Sequence, residues 1–365
     1  MRTGLECPLC ESPNSRRLHA FKNQDIVECE HCGMVYVPTP APEFTVVYKR
    51  DYLAPNPNGL YHLYRSEFSN HLKTFTQRLE ESEKILGGRV GRLLDVGCAL
   101  GHLGESARRR GWDVYVTDVS EYAVLQAREQ FGLNGFICAP EKIPVQSSRF
   151  DLVTLFDVIS HVSHPKGLLK EIRKALWSGG ILHVVTPNFQ SLSARILGRR
   201  WYHIEPDSSY LYFTPETLKS MLEQSGFEVI KFKSAPVHFR LHDLLLRFEH
   251  HSRSGFKWIA RSLRWICRRM GVKDIRFRLP FGEIQVWARP ADIHQKREIQ
   301  PVKDILDIVC CPNCHSAIQL FEDHDAICTQ CELEFEVQSG VINFSSYAKR
   351  RATAVLFNWS KNRSS

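Results

Sequence analysis

The 365-residue chain is 43% hydrophobic and 24% charged, with 48 basic against 40 acidic residues and a formal net charge of +8. That suits a soluble globule, one large domain with small modules beside it. No run approaches the ~18 apolar residues of a spanning helix, and the first residues lack a signal peptide's apolar core, so neither a spanning nor a secreted chain is expected. Eight of the twelve cysteines fall in Cys-x-x-Cys pairs. In a reducing compartment such pairs hold metal more often than disulfides, so a cytoplasmic location is expected.

Residues 1–40 should form a small zinc ribbon. Cys7-Pro8-Leu9-Cys10 is followed after eighteen residues by Cys29-Glu30-His31-Cys32. Each pair turns tightly enough to aim two thiolates at one point, and two pairs complete the tetrahedral sulfur set of structural zinc. Four sulfurs fill the coordination sphere, so the metal holds structure rather than chemistry; redox pairs are the alternative. Residues 41–90, with Tyr48 and Tyr52, read as a helical lead-in.

The most telling segment comes next. Arg92 to Val96 reads as a buried strand, Gly97-Cys98-Ala99-Leu100-Gly101 as a turn, Leu103 to Arg110 as a helix, and Asp113 to Thr117 as a second strand ending on Asp118. Glycine lets a backbone approach a ligand and adopts positive φ, and the helix directs its free N–H groups at the turn. Asp118 can accept hydrogen bonds from two ribose hydroxyls, which makes the unit a nucleoside site at the carboxyl edge of a parallel sheet. A dinucleotide fingerprint would need Gly-x-Gly-x-x-Gly. Here Asp95 precedes the turn, and an acid there suits an ammonium and repels a phosphate.

Arg149 to Asp157 reads as the fourth strand, an apolar run buried on both faces. Lys166 to Leu176 has helical periodicity, with Ser178-Gly179-Gly180 suited to its C-cap, and Ile181 to Thr186 is the fifth strand. Thr214 caps a helix with Pro215 at its first position. Gly226 to Ile230 and Gly282 to Arg289 supply the last two strands. Between them, residues 235–280 hold eleven basic and three acidic residues, so the chain outside this insertion is neutral. Phe256, Ile259, Leu263, Ile266 and Met270 form one helical stripe there, with Lys257, Arg261, Arg264, Arg268 and Arg269 on other faces and Trp258 and Trp265 among them. Such a helix lies on an anionic membrane through 256–270, or it is a lid whose stripe packs on the core.

Residues 291–303 read as a polar linker. Residues 304–345 should form a second ribbon, with Cys311-Pro312-Asn313-Cys314 followed after thirteen residues by Cys328-Thr329-Gln330-Cys331. Residues 346–365 are a basic tail. Modules this short bury little apolar area, so metal should supply their folding energy. Cys310 is a spare thiol beside the second site; Cys98, Cys138 and Cys267 read as ordinary thiols.

Asp95-x-Gly97-x-x-x-Gly101 with Asp118, in this strand–turn–helix–strand setting, resembles the class I S-adenosylmethionine-dependent methyltransferases. The strand order over residues 91–290 is similar to that family's α/β fold, a seven-stranded doubly wound Rossmann-like sheet. The resemblance implies that Asp95, Gly97, Ala99 and Gly101 hold the methionine end of S-adenosylmethionine. Asp118 takes the ribose, Val119 lies beside the adenine and Phe156 walls the site. The family usually has glycine where this chain has Ala99. Its acid after the third strand is represented only by Glu141.

Asp157-Val158-Ile159-Ser160-His161-Val162 resembles the Glu-His-Val segment of ubiquinone-type O-methyltransferases, with Ser160 in place of the glutamate. His161 is therefore the candidate base, the alternative being a histidine that only bonds its loop. Trp201 to Phe213 resembles the family's substrate-side loop, where Tyr202, His203 and Tyr210 touch the acceptor or simply pack. The N-terminal ribbon is similar to the zinc leader of bacterial methyltransferases, some acting on nucleotide-linked sugars. The C-terminal ribbon is similar to small zinc proteins that partner and activate methyltransferases.

The Asn/Asp-Pro-Pro-aromatic motif of base amino-group methylation is absent after the fourth strand, and neither Cys98 nor Cys138 stands where a cytosine-C5 methylase needs its thiol. What is implied is methylation of oxygen or carbon on a small or lipid-linked acceptor, with a sugar intermediate of surface-polysaccharide synthesis foremost. An RNA methyltransferase gripping phosphates with its basic insertion and ribbons, and a non-catalytic zinc scaffold, are the alternatives.

Overall fold

The computed structural model describes residues 6–21, 24–38, 67–241, 245, 254–270, 275–280, 282–291, 302, 304–321 and 325–349. Tyr48, Tyr52, most of the linker and the tail beyond 349 lie outside the described residues. In chain order the elements begin with β1 (Ser15–Ala20), β2 (Asp25–Cys29), β3 (Val35–Tyr36) and α1 (Phe68–Ile85). Next come β4 (Arg92–Val96), α2 (His102–Arg108), β5 (Asp113–Asp118), α3 (Glu121–Phe131) and β6 (Asn134–Ile137). They are followed by β7 (Phe150–Phe156), α4 (Pro165–Ala175), β8 (Leu176–Pro187), α5 (Leu192–Leu197), β9 (Leu211–Tyr212), α6 (Pro215–Gln224) and β10 (Phe227–Ser234). The insertion contributes β11 (Val237–Arg240), α7 (Ser254–Arg269) and β12 (Arg276–Leu279). Last are β13 (Glu283–Pro290), β14 (Ile318–Phe321), β15 (Asp325–Cys328), β16 (Leu333–Gln338) and β17 (Val341–Lys349).

The expected seven strands assemble in the order β10-β13-β8-β7-β4-β5-β6. Strands β8, β7, β4, β5 and β6 are parallel, and β13 runs antiparallel between β8 and β10. The parallel part is apolar on both faces because helices cover both; every residue of β7 but Phe156 is buried. Helix α6 starts as its sequence demands, with a capping box in which Thr214 accepts from Thr217 N–H at 3.2 Å and Pro215 opens the first turn. Helix α3 starts on a Ser120 cap and stops at Gly132 in the left-handed region.

Two expectations need correction. Ser178-Gly179-Gly180 does not cap α4. Leu176 is already extended and pairs with Phe150, Ile181 pairs with Leu152, and the residues between bulge out of β8. A Cβ on Gly180 would lie 2.8 Å from the Phe150 carbonyl, so glycine serves close backbone approach there.

The C-terminal ribbon is not a separate module. Its last strand β17 pairs in parallel with β6 and carries β16, β15 and β14 beyond it, so the sheet runs on to eleven strands. That strand continues to Lys349, past the boundary expected at 345. The seam is apolar: Phe344 meets Phe136 edge-on at 6.1 Å between ring centroids.

Of the two readings of helix α7, its described side chains favour an exposed arm, with only Arg264 and Cys267 half-buried among them. Leu263, Ile266 and Met270 are exposed, while those of Phe256 and Ile259 lie outside the described residues.

Candidate functional site

The turn after β4 lies at the carboxyl edge of the parallel strands. Gly97 and Gly101 have φ of +79° and +77°, and each is also packed where a side chain would collide. A Cβ on Gly97 would lie 2.3 Å from Val158 Cγ2, and one on Gly101 2.7 Å from Ala127 Cβ. Ala99 takes φ +48° without being glycine, a strained conformation for an L-residue. Its N–H donates to Asp118 Oδ2 at 3.0 Å, while Asp118 Oδ1 accepts from Ser120 N–H at 2.9 Å. The strained turn and the acid closing β5 are therefore tied to each other, with half-buried Val119 between the acid and α3.

Asp95 is 2% exposed and accepts from the Thr154 hydroxyl at 2.8 Å. Burial, reinforced by the charge of Asp118 and opposed by Thr154, pushes its carboxyl up to about 7. Burial likewise raises Asp118 to about 6 against the pull of backbone N–H donors. Neither acid has an ion-pair partner among the described residues. A buried and a half-buried carboxylate, with no cation beside them among the described residues, fit a ligand carrying positive charge and vicinal hydroxyls.

The other cofactor candidates stand around this edge. Phe156, closing β7, packs toward α1, with its ring 6.0 Å from Phe75, 4.8 Å from His183 and 5.2 Å from the Arg78 guanidinium. Glu141 is half-buried in the turn after β6 and accepts from Ser163 at 3.5 Å. The C-terminal ribbon grips the loop just beyond it. Gln146 N–H donates to the Ile308 carbonyl at 2.8 Å, and Cys310 N–H to the Pro144 carbonyl at 2.8 Å.

The acceptor-side candidates form a second group. His161 lies in a short 3-10 turn after β7, with Nδ1 2.8 Å from the Ser208 carbonyl. A carbonyl only accepts, so Nδ1 carries the proton and Nε2 the lone pair. Burial holds His161 below the usual imidazole range, hence neutral. His203 is wedged against Trp201 and Tyr202, at 4.9 and 4.3 Å between centroids, and is pushed down to about 4 by burial and then by His161. Its Nε2 and the Tyr210 hydroxyl are buried and have no hydrogen-bond partner among the described residues. Tyr202 is 40% exposed and turns to solvent.

The N-terminal ribbon is part of this second group. Its β3 pairs with β9, and Val37 N–H donates to the Tyr210 carbonyl at 2.9 Å while Tyr210 N–H donates to the Ser160 carbonyl at 2.8 Å. Lys166 of α4 caps the first knuckle at the Leu9 carbonyl, 2.7 Å away.

Both cysteine quartets converge. In each, the four sulfurs lie within 4.8 Å of one another. The close pairs are Cys7–Cys32 and Cys10–Cys29 at 3.5 Å, Cys311–Cys331 at 3.5 Å and Cys314–Cys328 at 3.3 Å. A tetrahedron with Zn–S near 2.3 Å has edges of roughly 3.8 Å, so both quartets fit zinc. Cys310 points elsewhere, 3.9 Å from His315.

One feature has no local signature in the sequence. Arg78 of α1 pairs with Glu283, the first residue of β13, at 2.9 Å, and both are largely buried. The partners are 205 residues apart and meet only because β13 starts at the edge where β8 ends.

Residues 64–231 match a family described as a methyltransferase domain. A ubiquinone biosynthesis O-methyltransferase of Roseobacter denitrificans is 31% identical over 153 residues, 39% of this chain and 62% of the relative. The mitochondrial ubiquinone biosynthesis O-methyltransferase of Candida albicans is 31% identical over 170 residues, 42% of this chain and 51% of that one. The match therefore spans less than two thirds of these relatives. Among solved structures, a 1,6-didemethyltoxoflavin-N1-methyltransferase of Burkholderia thailandensis with bound S-adenosylhomocysteine is 16% identical, covers 76% of this chain and all of its own, and has a TM-score of 0.47.

Proposed function

We propose that the chain carries a class I S-adenosylmethionine-dependent methyltransferase domain, supported by the methyltransferase-domain match and the O-methyltransferase relatives, and that it transfers the methyl group of S-adenosylmethionine to oxygen of a small or lipid-linked acceptor. A sugar intermediate of surface-polysaccharide synthesis is the acceptor we favour, and carbon is the second acceptor atom. One observation carries the cofactor reading: buried Asp95 and half-buried Asp118 have no cation partner among the described residues, and they flank the turn whose tight packing requires Gly97 and Gly101. Asp95 would hold the methionine ammonium and Asp118 the ribose. S-Adenosylmethionine itself supplies a methyl group already activated by positive sulfur, so the protein has mainly to align the acceptor and relieve it of a proton.

His161 is suited to that proton. Its Nδ1–H is fixed on the Ser208 carbonyl and its depressed pKa keeps the ring neutral. The orphaned Tyr210 hydroxyl and His203 Nε2 are the polar groups that would orient an acceptor. The zinc quartets contribute no chemistry; they hold the ribbons that brace Tyr210 on one side and the loop after Glu141 on the other. The test is label transfer from methyl-labelled S-adenosylmethionine to fractionated cell extract. Label in the lipid or nucleotide-sugar fraction supports the reading, and label only in RNA, or none, refutes it.

A further inference from the structure

We propose that helix α7 is a membrane-docking arm which seats the protein on an anionic phospholipid surface. Most described side chains of the helix are exposed, with Trp258 at 66%, Trp265 at 60% and Met270 at 69%, while Arg264 and Cys267 are half-buried. At 3.6 residues per turn, Ile266, Met270 and Leu263 share one side of the helix, Trp258 and Trp265 flank it with Arg269 and Ser262 between, and Arg261 and Arg264 lie on the other side. An apolar side rimmed by tryptophans is unstable in water unless something covers it, and Trp258, Leu263, Trp265, Ile266 and Met270 all remain exposed.

Charge selects the covering. Residues 235–280 carry the whole net charge of the chain, +8, so the arm seeks an anionic partner. A second copy would set one basic helix against another. RNA would engage the arginines and stack on the tryptophans but has no use for Leu263, Ile266 and Met270. An anionic bilayer uses both sides: aliphatic side chains enter the acyl boundary, indoles lie at the headgroups and guanidiniums meet phosphates. Arg269 already lies over the Trp265 ring, 5.4 Å from its centroid.

The fold places the arm usefully. Strands β11 and β12, which flank α7 in the chain, form an antiparallel ribbon, and His238 N–H fastens that ribbon to Thr74 of α1 at 3.1 Å. The chain re-enters the core at Gly282 and Glu283, where β13 pairs with Pro187 at the carboxyl end of β8. That is the sheet edge bearing the Gly97–Gly101 turn. Gly282, just before β13, packs against Ser191 and Ser193 at the start of α5, on which Leu192 is 73% and Ile196 72% exposed. Docking therefore brings the site's edge to the surface from which a lipid-linked acceptor is drawn.

The experiment is co-sedimentation of the full-length, zinc-loaded chain with phosphatidylglycerol or phosphatidylcholine vesicles. S-Adenosylhomocysteine affinity, measured in parallel, reports the fold and the cofactor reading separately. The wild type should bind phosphatidylglycerol vesicles, release as salt rises, and bind phosphatidylcholine weakly. Trp258→Ala/Trp265→Ala should lose vesicle binding, and Arg261→Gln/Arg264→Gln should lose about fivefold per arginine on anionic vesicles, with cofactor affinity unchanged in both. Binding that ignores lipid charge, variants that sediment like wild type, or binding of an RNA oligonucleotide without vesicle binding would overturn the proposal.

Discussion

Replacing Asp95 with asparagine should change stability in a direction that depends on pH. The Asp95 carboxyl is buried and raised from 3.8 to about 7, so the folded ligand-free chain keeps a proton that the unfolded chain releases. Wild-type stability therefore falls as pH rises from about 4 to about 7, and above that the charge costs up to about 4 kcal/mol. The asparagine side chain would still accept from the Thr154 hydroxyl and carries no charge, but it buries an amide NH2 at a cost of about 1–3 kcal/mol. Asp95→Asn should thus stabilise the ligand-free chain by about 1–3 kcal/mol at pH 8 while weakening cofactor binding. At pH 5 wild-type Asp95 is mostly protonated, and the advantage should shrink by about 2–3 kcal/mol, vanishing or reversing. Urea unfolding of both proteins with zinc present, at pH 5 and pH 8, measures the difference and cancels every other titration common to the two. A difference that stays constant with pH, or a variant less stable at pH 8, would show that Asp95 is not an uncompensated buried acid.

Other outcomes follow from the same geometry. Ala99→Gly should relieve the φ of +48° and raise stability by about 1 kcal/mol, seen as a higher urea midpoint; a lower one would mean the turn is not strained. Cofactor affinity should rise from pH 5.5 to 7.5 with proton release, because Asp95 and Asp118 titrate near 7 and 6, and Asp95 must ionise to hold the ammonium and Asp118 to accept from both ribose hydroxyls. Calorimetry in buffers of different ionisation enthalpy reads the protons released, and uptake would contradict the assignment. Metal analysis should find two zinc ions per chain, and Cys10→Ser should leave one and speed amide exchange at Val35 and Val37, which pair with the acceptor-side segment. Unchanged exchange would uncouple the ribbon from that segment.

The parallel core was legible because its signals are local. The run Phe150 to Phe156, the Thr214-Pro215 start and the turn from Asp95 to Gly101 each state their structure within a few residues. The cysteine quartets were legible for the same reason, since paired knuckles need only short spacings to converge. What escaped depends on distant partners. Nothing near Arg78 announces Glu283, and nothing in the ribbons announces that β3 would pair with β9 or β17 with β6. The C-cap assigned to Ser178-Gly179-Gly180 failed because glycine serves a bulge as readily as a helix end. Only pairing across to Phe150 decides between them. The stripe on α7 gave its amphipathicity in sequence, but whether it meets core or solvent is a tertiary fact.

Asp118 is where the reading is most exposed to measurement. Titration of the zinc-loaded chain with S-adenosylmethionine and S-adenosylhomocysteine by calorimetry at pH 7.5 should show saturable one-to-one binding of both. Asp118→Ala should weaken each by one to two orders of magnitude, about 1.5–3 kcal/mol for hydrogen bonds to a charged acceptor. No heat with either compound, or an unchanged affinity in Asp118→Ala, would contradict the assignment of this edge as the methyl-donor site.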